Sequence, residues 1–182
     1  MERQYHGFEY QKHIIDTNKY TFYNKYTFKW DAKSDKYNIS IKTAKIKSDI
    51  CFGDIKRIIS TDENFILHVG FWKKYTYNIL EEYKILIKKE DFKSYIGDIS
   101  HFDEMFEEIK NITNDKSDDL KWKIFMKKYK TMYGKNPILS IRFKRDHKIQ
   151  KRIQCSISYK NVIVLIYFHN LKMLYLHRLP LF

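Results

Sequence analysis

Residues 37–42 read Tyr-Asn-Ile-Ser-Ile-Lys. Apolar and polar side chains alternate without interruption, the period-two pattern of a strand with one buried face. Tyr37, Ile39 and Ile41 fall on one side, and Asn38, Ser40 and Lys42 on the other. The isoleucines can anchor this strand in a core, so Ser40 and Lys42 project together from the opposite face. Upstream, residues 5–16 read as a short helix carrying Glu9, and Lys19 to Lys29 is rich in Tyr, Phe and Thr, which favours strand. Downstream, Gly53-Asp54 opens a helix whose apolar stripe is Ile55, Ile58 and Ile59. Asn64 to Trp72 reads as a buried strand, and Tyr75 to Lys88 continues the sheet.

The second half begins with helices. Phe102, Met105, Phe106 and Ile109 mark an amphipathic one. The next has Ser117 as N-cap and Asp118 and Asp119 in its first turn. Its apolar face is Trp122, Phe125, Met126, Tyr129 and Tyr133, with Gly134 and Pro137 closing it. Two alternating runs follow, Leu139 to Lys144 and Ile149 to Ile157, which residues 145–148 join as a β-hairpin. This order predicts an α/β fold: a mixed central β-sheet flanked by helices, with a C-terminal β-hairpin.

A chain of 182 residues favours one domain, 1–182, and 43% hydrophobic residues are too many for a disordered chain. The formal net charge is +13 and the pI about 9.5. Such a charge attracts polyanions, nucleic acid first and an anionic membrane second. The polar N-terminus, Met1 to Tyr10, predicts no secretory leader. No run reaches the roughly 18 apolar residues of a membrane span. The best candidate, Val162 to Leu181, is broken by His169, Asn170, Lys172, His177 and Arg178. The apolar tail, Val162 to Phe182, is a candidate for the core or for a dimer face, and no membrane partner is expected. Cys51 and Cys155 form no CxxC motif and read as free, buried thiols of a reducing cytoplasm.

Chemistry concentrates in Trp30-Asp31, Ser40-Ile41-Lys42 and Gly53-Asp54. Hydrolysis of a phosphodiester needs an in-line water, neutralised phosphate charge and a stabilised leaving oxygen, all of which Mg²⁺ assists. Mg²⁺ keeps several waters, so one or two carboxylates suffice to hold it. A lysine beside them can orient the attacking water. Each residue also has a plainer role. Asp31 starts a turn-like Asp-Ala-Lys-Ser-Asp, Lys42 is a solvated strand lysine, Ser40 holds its strand position, Asp54 is an N-cap and Glu9 an exposed helix acid.

These residues resemble the PD-(D/E)xK nuclease superfamily, and within it the type II restriction endonucleases with a Ser-x-Lys variant, where a downstream helix provides the displaced acid. The resemblance covers roughly residues 5–72. Trp30 stands in place of the motif's Pro, and Asp54 where Glu is usual. It implies a restriction-endonuclease-like core, with a catalytic part at about 5–90 and a helical, DNA-contacting part at about 91–182. It further implies Mg²⁺ on Asp31 and Asp54, water activation by Lys42, Ser40 and Glu9 in the site, cleavage of double-stranded DNA and a homodimer.

DNA contact is expected from residues 135–152, which carry Lys135, Arg142, Lys144, Arg145, Lys148, Lys151 and Arg152 against the single acid Asp146. Arg142 and Lys144 share one strand face, and Arg152, Gln154 and Ser156 one face of its partner. Arg suits guanine and Gln suits adenine, and a two-stranded ribbon fits the major groove. Non-specific phosphate contact explains the same face equally well. Two other readings stay open: a non-catalytic nucleic-acid-binding protein, and a nicking or resolvase nuclease of the same superfamily.

Overall fold

The computed structural model describes residues 3–23, 29–74, 78–98, 100–113, 115–133, 138–145 and 151–170. Their elements are α1 (Arg3–Asn18), β1 (Thr21–Phe22), β2 (Ala32–Lys33), β3 (Asn38–Lys45), β4 (Ile50–Asp54), α2 (Ile55–Ile59), β5 (Phe65–Trp72), β6 (Ile79–Ile87), α3 (Lys89–Ser94), α4 (Phe102–Lys110), a 3-10 turn (Lys116–Asp118), α5 (Asp119–Tyr133), β7 (Leu139–Arg145), β8 (Lys151–Ile157) and α6 (Tyr159–Asn170). The chain divides into two compact units. One draws on Met1–Ile50, Thr61–Lys89 and Ser158–Phe182, the other on Cys51–Ser60 and Glu90–Ile157.

The first unit holds the mixed α/β sheet the sequence predicts. Its strand order is β1-β2-β3-β5-β6, with β3 parallel to β5 and the other pairs antiparallel. Ile39 and Ile41 are buried with Tyr10, Ile14 and Ala32 in one cluster. Tyr10 and Ile14 sit four apart, so they share the face of α1 turned to β3. Gly70 permits that approach, because a Cβ there would lie 2.6 Å from Tyr10 Cζ. The other sheet face buries Phe65, Leu67, Val69 and Phe71 of β5 with Ile85 and Ile87 of β6. Here α6 supplies Tyr159, whose ring stands 4.8 Å from Phe71 and whose hydroxyl donates to Glu81. Both faces are covered, which is why β5 reads as a continuous apolar run and not as an alternation. Each fully buried Ile, Leu or Phe contributes about 1.5–3 kcal/mol.

The second unit is built on a three-stranded sheet, β4-β8-β7. β7 and β8 are antiparallel, with Ile141 opposite Cys155 and Phe143 opposite Ile153. Phe143 packs against Phe125 (5.1 Å) and Tyr129 (6.4 Å) of α5, both fully buried as their helical spacing predicts. Lys128 reaches Glu104 and Glu108 of α4, and Tyr129 Oη donates to Glu108. Buried Asp118 accepts from Thr113 N at 2.6 Å and pairs with Lys121 at 2.8 Å. These contacts hold its carboxyl well below the usual carboxylate range.

Several boundaries differ from expectation. Gly53-Asp54 opens α2 as expected, but it also ends a strand, β4, that was not foreseen, and α2 is only five residues. Ser117 is not the N-cap. Asp115 takes that position, and its carboxylate accepts from Ser117 N. Of Lys19 to Lys29, Thr21-Phe22 forms strand, and residues 24–28 lie outside the described ones. Cys155 is buried as expected, whereas Cys51 is exposed. The apolar tail starts as helix α6, with Val162 and Leu165 in the core. Gly134, Pro137, residues 146–148 of the expected hairpin connection at 145–148, and residues 171–182 lie outside the described residues.

Candidate functional site

Two short strands and a tight reversal bring Asp31 and Lys42 together. Ala32 pairs with Ile39 and Lys33 with Asn38, and the reversal is closed at Ser34 and Tyr37 by Ser34 N donating to Tyr37 O at 2.9 Å. Ala32 turns toward the α1 cluster, so its neighbour Asp31 turns the other way, onto the face of Asn38, Ser40 and Lys42. There Asp31 Oδ2 accepts twice, from Ile41 N at 2.7 Å and from Lys42 Nζ at 2.9 Å. The carboxylate thus substitutes for a strand carbonyl while holding an ammonium. Each side chain keeps 24% of its exposure, so a substrate could reach the pair. Ser40, between them on β3, is buried.

A second carboxylate braces this corner. Glu63 accepts from Trp30 Nε1 through Oε1 and from Asn38 Nδ2 through Oε2, both at 2.8 Å. Tyr23 Oη donates to Asn38 Oδ1 at 2.9 Å. The Trp30 ring lies 4.7 Å from Phe65, and Lys29 Nζ lies 5.1 Å from the Trp30 centroid. Burial lowers the Lys29 pKa, while Glu63 and Asp62 act in the opposite direction. Trp30 is thereby tied to the sheet immediately before Asp31. Sequence reading passed over Glu63, because it stands in a polar connection without periodicity. Asn38 carried one faint signal, its place on the polar side of residues 37–42.

The other candidate residues are placed differently. Asp54 Oδ1 accepts from Lys56 N at 2.8 Å and caps α2, the plainer role left open by the sequence; it belongs to the second unit. Glu9 lies on the exposed side of α1, whose sheet-facing residues are Tyr10 and Ile14. Among the described residues no group of three or more His, Cys, Asp and Glu side chains converges. Asp31 and Ser40 offer hard oxygen donors of the type Mg²⁺ takes, with one carboxylate between them.

On the second sheet, Arg142 stands opposite Gln154 and Lys144 opposite Arg152, as the hairpin reading requires. Arg142 and Lys144 are exposed. Gln154 Oε1 accepts from Cys51 Sγ at 3.6 Å. Arg145 ends β7 opposite Lys151, and Lys148 lies outside the described residues. Cys155 faces away from this surface, and burial pushes its thiol pKa far up, with Cys51 and Asp54 adding to the effect. Comparison with known proteins finds no matching family model, no similar curated protein and no similar solved structure. No helix among the described residues is long and apolar enough to cross a membrane.

Proposed function

We propose that this chain is a Mg²⁺-dependent endonuclease that hydrolyses phosphodiester bonds of duplex DNA at a specific site, in the manner of a type II restriction enzyme. One observation carries the reading: Lys42 Nζ and Asp31 Oδ2 stand 2.9 Å apart, each side chain 24% exposed. The order of elements adds support, since a helix, then antiparallel strands, then a helix precede the strand parallel to β3. The net charge of +13 suits a phosphate-rich substrate. Asp31 would hold Mg²⁺, which supplies charge neutralisation and a more acidic water when bound. Lys42 would orient that water and offset charge on the phosphate, and Glu63 would keep Trp30 and therefore Asp31 in place. Arg142, Lys144 and Gln154 would contact the DNA. A two-fold homodimer would explain scission of both strands, and free thiols suit an intracellular setting.

The second reading is a nucleic-acid-binding protein without catalysis. It is favoured by the use of Asp31 Oδ2 for two internal bonds, a pattern that a purely structural ion pair would also show. Supercoiled plasmid incubated with Mg²⁺ separates the two. Discrete fragments that vanish in Asp31→Ala and Lys42→Ala, with DNA binding retained, support the endonuclease. Intact plasmid with every divalent ion tried leaves binding alone, and nicked circles without linear product indicate a nicking or resolvase nuclease.

A further inference from the structure

Among the described residues, the five-stranded sheet ends in a long outermost strand. β6 spans nine residues, Ile79–Ile87, and among the described residues it pairs with β5 alone. An open edge of this length presents a row of backbone donors and acceptors that can template pairing with another strand. Leu80 lies there 51% exposed, and Glu82 and Lys84 are exposed beside it. All three point to the same sheet face, because they are two apart.

We propose that β6 pairs antiparallel with β6 of a second copy of this chain, about a two-fold axis at Tyr83. Tyr83 is the midpoint of Ile79–Ile87, so this register alone matches the strand along its full length. It sets Glu82 of each protomer opposite Lys84 of the other, twice by symmetry, and Leu80 opposite Leu86. Centring on Glu82 or on Lys84 would instead oppose like charges, which destabilises an antiparallel pair. Opposed residues in the Tyr83 register have the same parity. Backbone groups turned away from β5 in one copy therefore meet those turned away from β5 in the other, as an antiparallel ladder requires. The interface is isologous, the usual form of a closed dimer. It gives the homodimer of the nuclease reading a surface, yet it does not depend on nuclease activity.

Sedimentation equilibrium of the full chain at physiological salt reads this without any cleavage assay. The wild type is expected to dimerise in the micromolar range. Glu82→Lys and Lys84→Glu should each weaken the dimer roughly tenfold or more by opposing like charges. The double variant Glu82→Lys/Lys84→Glu should recover it to within a few-fold. A wild type that stays monomeric overturns the proposal, as does a dimer that ignores both single variants or a double variant that fails to recover. Should circular dichroism show a charge variant unfolded, Leu80→Asp decides. Loss of the dimer in that variant, with the fold intact, supports the pairing, and an unchanged dimer overturns it.

Discussion

The two sheets of this protein are furnished in opposite ways. The five-stranded sheet packs apolar side chains on both faces, and its ion pair, Asp31 with Lys42, is internally neutralised. The three-stranded sheet packs one face on α5 and leaves Cys51, Arg142 and Lys144 exposed on the other. The first concentrates its charge in one ammonium held 2.9 Å from one carboxylate. The second sets two exposed cations, Arg142 and Lys144, two residues apart on one strand. Under the proposed function, reaction belongs to the first sheet and grip to the second.

The sharpest way to break that division is Lys42→Ala, which should lower plasmid cleavage on the order of 100-fold or more while a filter-binding assay shows DNA still bound. Equal loss of binding would put grip in the first sheet too. Asp31→Ala should behave alike in cleavage and also cost about 1–3 kcal/mol in urea unfolding, because Ile41 N and Lys42 lose their partner.

Covering both faces also makes the first sheet intolerant. Gly70→Ala should cost about 1–3 kcal/mol by driving a methyl into the Tyr10 ring. His68, 2% exposed, contacts Tyr20 at 3.1 Å, and burial together with Lys84 lowers its pKa to about 3. The unfolded chain takes up that proton near pH 6.5, whereas the folded chain refuses it. The stability linked to His68 is therefore full above about pH 6.5 and falls on acidification by about 1.4 kcal/mol per pH unit toward pH 3. Urea midpoints of wild type and His68→Leu at pH 7 and pH 5 should converge on acidification, and a constant gap would contradict the assignment.

In the second sheet, Arg142→Ala/Lys144→Ala should reduce the slope of log K against log salt by about 2 while sparing cleavage of bound DNA. The smallest effect is expected for Asp54→Ala, about 1 kcal/mol from the lost cap with cleavage intact. Cleavage falling as far as in Asp31→Ala would instead make Asp54 a second metal ligand, as the resemblance implies, and erase the contrast between the two acids.

What could be read from the sequence follows the range of the interactions. Residues 37–42 announced their strand because one buried face suffices to impose alternation, and Asp31 met Lys42 because a short reversal links their strands. The apolar faces that meet as Phe125–Phe143 and Tyr129–Phe143 were legible from helical and strand periods, but their contact was not. β4 escaped because Ile-Cys-Phe-Gly-Asp does not alternate, and its partner β8 lies about a hundred residues on. Glu63 escaped for the same reason, since Trp30 and Asn38 are 33 and 25 residues away in the chain. The hairpin cations were visible as composition, and their register required β8 to be placed.

The helix that packs on the second face of the large sheet comes last among the described elements. α6 begins at Tyr159, after the whole Glu90–Ile157 stretch of the other unit. On the ribosome, Phe71 is therefore made before the Tyr159 ring that packs on it, with some seventy residues of the other unit added in between at about 5–20 residues per second. A nascent chain halted before residue 159 should be a strong client for chaperones that bind exposed apolar strands, and release from them should coincide with the arrival of Tyr159 and Val162.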